Sequence, residues 1–166
     1  MSREGVLAIL VGLALICLVL LAWSWSRRRR RDAGLNAPVG ELPADARVLA
    51  AFPGLYVATT RHDQPLERLA IRGLGFRSRV DVTVTDAGVA LDLPGQARMV
   101  IARDRLVDAV QATVAIDRVV ERDGLARLTW RIDENTLVDT YLRPQEASAR
   151  ALADAVRPLL PTGDPA

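Results

Sequence analysis

Hydrophobic residues follow three spacings in turn along this chain. From Gly5 to Trp25 the sequence GVLAILVGLALICLVLLAWSW runs 21 residues without a charge. At about 1.5 Å per residue this is roughly 31 Å of helix, enough to cross a hydrocarbon core. After Gly54 the period becomes two. In RVDVTVT, Val80, Val82 and Val84 alternate with Asp81, Thr83 and Thr85, and after the turn Asp86-Ala87-Gly88 the residues Val89, Leu91 and Leu93 alternate on a returning strand, which predicts a hairpin with one buried face. Further strands are predicted at Leu55–Thr60, Leu69–Arg72, Arg98–Ala102, Leu106–Thr113, Arg118–Glu121, Ala126–Ile132 and Leu137–Leu142, the last three separated by turns at Arg122-Asp123-Gly124 and Asp133-Glu134-Asn135. From Pro144 the spacing turns helical through Ala149, Leu152, Ala153, Val156 and Leu160, with Pro144 in the first turn and Arg157-Pro158 at the exit.

These elements divide the chain into a transmembrane helix (5–25), a basic stop-transfer run with a flexible linker (26–52), one folded domain (53–160) and a disordered tail (161–166). In the linker, Gly34, Pro38, Gly40 and Pro43 leave room only for a short helix from Ala44 to Ala51. Short strands followed by one helix that covers an opening of a curled sheet define a mainly β class. The expected fold is an antiparallel barrel of the pleckstrin-homology-like (PH-like) type with one C-terminal helix, preceded by one N-terminal transmembrane helix.

Charge fixes the expected orientation. Trp23 and Trp25 sit at one end of the apolar run, where indoles mark a membrane interface, and Arg27, Arg28, Arg29, Arg30 and Arg31 follow, whereas the other flank has Arg3 balanced by Glu4. Positive flanks stay inside, so the N-terminus is expected outside a cell (inner or plasma) membrane and the domain in the cytoplasm. Ala22-Trp23-Ser24 fits a loose signal-peptidase pattern and keeps a cleaved leader as the alternative, although the main positive run lies on the wrong side for one. The pair Ala8 and Gly12 leaves helix dimerisation open.

The same arginines explain the basic balance. Residues 1–31 carry six arginines and one glutamate while the whole chain is +2, so residues 32–166 are −3. An acidic domain does not suit a nucleic-acid partner, which a basic folded face would serve. All 22 basic residues are arginines, a mark of codon bias that removes mechanistic weight from most of them.

Catalytic and cofactor motifs are scarce. The one cysteine, Cys17, lies in the apolar run and the one histidine is His62, so neither a disulfide framework nor a thiolate or imidazole metal site is expected; an all-carboxylate site stays open. Gly73-Leu74-Gly75 lacks the third glycine of a dinucleotide fingerprint and the Lys of a P-loop, and reads as a bend before a strand. Asp133-Glu134-Asn135 is too short for a calcium loop. Ser78 has no base beside it in sequence, and His62-Asp63 reads as a turn. The remaining candidate is Arg68, Arg72, Arg77 and Arg79 around the glycine bend: either an anion or partner contact, or a solvated face paired with the domain's carboxylates. Trp130, between Leu128 and Ile132 at strand spacing, is a core residue.

The strings GLYVATT, LERLAIRGLGFRSR, DAGVAL, VVERDGLARLTWR and DTYLRP, spread from Gly54 to Pro144, resemble a family of small actinobacterial single-pass membrane proteins with a bacterial PH-like domain, some loosely labelled transporter or exported protein. The resemblance implies the fold and an anchored domain, and it brings no catalytic residues. A single helix offers no pathway for a solute, so transport by this chain alone is excluded. Two functions follow: a membrane-tethered, non-catalytic interaction module that holds a protein partner or an anionic lipid headgroup at the inner leaflet, or a small-molecule sensor or enzyme with an arginine/carboxylate pocket. A concave site with convergent polar groups would favour the second.

Overall fold

The computed structural model describes residues 3–115, 118–119 and 124–161, with backbone alone at 8, 28, 29, 114, 115, 118 and 119. The chain forms two compact units, 1–34 and 35–166.

The first unit is one helix, α1 (Arg3–Asp32). It is long and apolar enough to cross a membrane, and it continues through the arginine run, which the sequence reading placed outside the span. Neighbouring cations are spread around a helix by its 100° step, so the run does not end it.

The second unit is a mainly antiparallel sheet with one C-terminal helix. Its strands are β1 (Val48–Arg61), β2 (Gln64–Arg68), β3 (Ser78–Thr85), β4 (Gly88–Asp92), β5 (Met99–Ala102), β6 (Leu106–Ala112), β7 (Val114–Ala115), β8 (Arg118–Val119), β9 (Leu125–Arg131) and β10 (Leu137–Pro144), followed by α2 (Ala149–Val156). The main sheet has the order β5-β4-β3-β1-β10-β9-β6 with β2 beside β1, and β7 pairs with β8. At about 4.8 Å per strand, a flat sheet would hold β5 and β6 roughly 29 Å apart. Yet only the 3-10 turn Arg103–Arg105 joins them, a connection that spans about 15 Å at most. The sheet is therefore rolled into a barrel whose seam lies between β5 and β6.

The rolled sheet encloses the larger of two buried clusters among the described residues, the smaller being Val57, Ala58, Leu125 and Tyr141. Tyr56, Val82, Leu91, Ile101, Leu128 and Trp130 belong to a single buried cluster with Leu152 and Val156 of α2. The buried stripe of α2 packs on β6 and β9 and reaches β10 and β1. Long β1 makes the corner. Its first part pairs with β3 from Val48 to Tyr56, its second with β10 from Gly54 to Arg61, and the two ladders overlap at Gly54–Tyr56, next to a bulge in the β10 register.

Several sequence expectations change. The stretch Ala44–Ala51 is not helical, because Val48–Ala51 already pair with β3. Leu35 and Ala37 pack against the core, and Val39 bridges Met99. Val100 N–H donates to the Pro38 carbonyl at 2.8 Å and Gly40 N–H to the Arg98 carbonyl at 3.1 Å. This part of the expected linker thus covers the open edge of β5, as an unpaired edge requires. Leu69–Arg72 is a loop, and the strand before it is β2. Pro144 ends β10 opposite Gly54; the helix begins at Ala149, where Ser148 accepts the Ala151 N–H at 3.1 Å. The predicted turn at 122–123, the end of the strand at 120–121 and the tail at 162–166 lie outside the described residues.

Candidate functional site

The loop from Leu69 to Arg77, between β2 and β3, is built from the core outward. Leu69, Ile71 and Leu74 are buried. Leu69 N–H donates to the Thr59 carbonyl at 3.0 Å, and Leu74 N–H closes a turn onto the Ile71 carbonyl at 3.1 Å. A buried polar chain holds the turn from below. Trp130 Nε1–H donates to Thr140 Oγ1 at 2.9 Å. Thr140 Oγ1 and Thr59 Oγ1 are 3.0 Å apart, Thr59 Oγ1 and Tyr56 Oη 3.0 Å, and Tyr56 O–H donates to the Leu74 carbonyl at 2.7 Å. Indole can only donate and a carbonyl can only accept, so one direction of donation along the chain satisfies every member. Burial, above all, pushes the Tyr56 hydroxyl up to about 12, which keeps it a donor at neutral pH.

Gly73 adopts φ +87°, and a Cβ there would lie 2.9 Å from Met99 Cε and 3.3 Å from Gln96 Oε1. Only glycine fits a backbone of that hand pressed on a side chain. With Leu74 pinned inside, the chain turns outward and Phe76 is 86% exposed.

Arg72, Arg77 and Arg79 are exposed, and the described residues include no ion-pair or hydrogen-bond partner for their guanidinium groups. Arg79 lies on the outward face of β3, opposite Leu55. Arg68 differs: it is half-buried, its Nη2 donates to the Val57 carbonyl, and its Nε is buried with no partner among the described residues. The structure therefore divides the four predicted arginines into one internal and three external groups. Sequence spacing missed Phe76 as a surface residue, since a Phe beside a strand ordinarily reads as core.

On α1, Trp23 and Trp25 are exposed, and Arg27 lies over the Trp23 ring at 5.6 Å, one helical turn away. Arg31 Nε pairs with Asp32 Oδ1 at 3.0 Å. Arg30 is exposed, and the side chains of Arg28 and Arg29 lie outside the described ones.

Two other places gather polar groups. His62 Nδ1 lies 3.0 Å from Asp139 Oδ1, and its Nε2 lies 3.5 Å from Asp63. Asp139 is only 1% exposed and also accepts from Thr129 Oγ1 at 2.7 Å. In sequence His62-Asp63 reads only as a turn; the buried partner of His62 sits 77 residues away and becomes adjacent through the β1–β10 register. The imidazole and Thr129 together satisfy a buried carboxylate, and no serine, threonine or cysteine nucleophile is hydrogen-bonded to His62 among the described residues. The second place is a surface cleft of about 480 Å³ lined by Ala87, Ala102, Arg103, Asp104 and Leu159–Pro161. Arg103 donates there to the carbonyls of Leu159 at 3.2 Å and Pro158 at 3.3 Å, so its cation ties the barrel seam to the chain after α2. Among the described residues no group of three or more His, Cys, Asp or Glu is placed to hold a metal ion.

A rolled antiparallel sheet covered by one terminal helix, with a filled core, defines a domain of the PH-like class, joined here to an apolar helix. The sequence profile described as bacterial PH domain-like matches residues 35–157, and the chain belongs to that family, whose fold generally serves non-catalytic interaction modules. The match begins where Leu35 enters the core. A search of curated proteins gives no significant match. Among solved structures, the chain is similar to the crystal structure of the C-terminal domain of an unknown protein from Leishmania infantum, at 9% identity and TM-score 0.44 over 84% of this chain and 97% of that one.

Proposed function

We propose that this protein is a membrane-tethered, non-catalytic interaction module: α1 anchors it with the N-terminus outside, and the PH-like domain works at the inner leaflet. The observation that carries this reading is the combination of a helix apolar enough to span with a domain whose interior is filled by side chains. The cleft beside Arg103 supports a module over an enzyme, because its cation is engaged by main-chain carbonyls and, among the described residues, Asp104 is the only other ionisable group in its lining. Tethering raises the effective concentration of the domain for anything at the same leaflet. The exposed arginines of the loop are the proposed contact for that partner.

The test is extraction and protease protection in a bacterial host that produces the whole chain. The protein should resist alkaline carbonate extraction, and its domain should be digested only after the membrane is breached. Release by carbonate, or digestion from outside intact cells, contradicts the reading.

A further inference from the structure

The first half of β1 is apolar on both of its faces. No charge stands between Arg47 and Arg61. Pairing with β3 sorts the side chains: Phe52 lies opposite Val82 and Gly54 opposite Val80, and these valines are core residues against which Phe52 packs. Ala51, Pro53 and Leu55 alternate with them and so share the outward face with Thr83, Asp81 and Arg79, their partners on β3. Ala51 and Pro53 are exposed and Leu55 is half-exposed, while Leu49, two residues earlier, is 43% exposed. A strand between core and water normally alternates apolar with polar residues, and one that is apolar on both sides is typical of a strand covered on both.

Charge gives this stripe a direction. Arg79 stands opposite Leu55 and Asp81 opposite Pro53; both are exposed, and among the described residues neither side chain has an ion-pair partner. Asp92, which faces Asp81 from β4, holds Arg98 through Nε at 2.7 Å and Nη2 at 3.0 Å, so that cation is already engaged. On the other side, Leu55 is flanked by Arg143 of β10. The stripe is therefore cationic at Leu55 and anionic at Pro53.

We propose that this face is a contact between two copies of the chain, packed face to face with their β1–β3 ladders antiparallel. A two-fold axis that lies between the faces and crosses the strands at Gly54 and Val80 sets Leu55 over Pro53 of the partner subunit and Arg79 over Asp81 of the partner subunit, and symmetry repeats both pairs. One alignment serves both rows, because Leu55 and Pro53 are separated by the same two residues, about 7 Å of strand, as Arg79 and Asp81. Parallel copies would set arginine on arginine and aspartate on aspartate, so the charges select the antiparallel arrangement. The contact uses residues of the domain alone and does not depend on α1 crossing a bilayer.

The test is energy transfer between whole chains in a mild non-ionic detergent, with a donor or an acceptor fluorescent protein fused after Ala166. Unaltered donor and acceptor chains should show transfer, and Leu55→Glu should abolish it. Arg79→Asp alone, or Asp81→Arg alone, puts like charges in both pairs and should weaken association roughly tenfold. Donor chains with Arg79→Asp mixed with acceptor chains with Asp81→Arg regain two opposite-charge pairs, so transfer should return, which also shows that both variants are folded. Absence of transfer in the unaltered chain overturns the proposal. Transfer that is equal in every variant and mixture overturns it as well, since the copies then meet through α1 or another face.

Discussion

At the scale of single residues, two kinds of position carry the fold. Some glycines stand where another chain segment comes too close for a side chain. At Gly54, where β1 passes from β3 to β10, a Cβ would lie 2.6 Å from the Arg143 carbonyl oxygen, a backbone atom that can yield only if the corner moves. Gly54→Ala should therefore lower stability by about 1–3 kcal/mol, measured by urea unfolding, whereas Gly75→Ala should stay within about 0.5 kcal/mol of the parent. Equal effects would contradict the corner geometry. Buried donors are the other kind. Tyr56 is raised from 10.0 to about 12 chiefly by burial, and burial followed by the Asp139 carboxylate also raises Tyr141. An acid raised in the folded state keeps its proton while the unfolded chain loses it. Its contribution is complete below pH 10.0 and declines as pH rises toward about 12. Stability should fall across that window, and Tyr56→Phe should make the fall shallower while lowering stability at neutral pH through the lost Leu74 contact. An unchanged alkaline slope would contradict the assignment.

Elements were legible in the sequence in proportion to their local signal. The β3–β4 hairpin reads directly because Val80, Val82 and Val84 are buried while Asp81 points out, and Trp130 is core because its strand alternates around it. Residues 38–40 carry no such pattern: proline and glycine hide a pairing that depends on the β5 edge. Leu69 and Ile71 are spaced like a strand, yet together with Leu74 they plug the core from a loop, with Gly73 at a positive φ between them. Asp139 escaped notice for a similar reason, its partner being set by strand register rather than by sequence neighbours. The docked segment makes a prediction at this scale. A chain beginning at Leu35 should be soluble and unfold in one cooperative transition, and one beginning at Asp45, which loses Leu35 and Ala37 from the core and uncovers β5, should melt lower. Identical melting temperatures would mean that residues 35–44 are only a tether.

For the molecule as a whole, the domain's fold and the helix's apolar length are visible in pattern alone, but the candidate surface is only half visible. Arginine spacing marks four residues; that Arg68 is half-buried against the Val57 carbonyl and that Phe76 is exposed beside the others follow only from the fold. We propose that α1 holds the PH-like domain on the cytoplasmic side, with the five arginines Arg27–Arg31 as the physical cause of that sidedness. The most direct measurement is a pair of reporters fused after Ala166 in a bacterial host, a fluorescent protein that matures only in the cytoplasm and a phosphatase active only after export. Fluorescence without phosphatase activity is expected, with a reversed or mixed pattern when Arg27–Arg31 become Gln and arginines are added before Gly5. Phosphatase activity in the unaltered chain would contradict it.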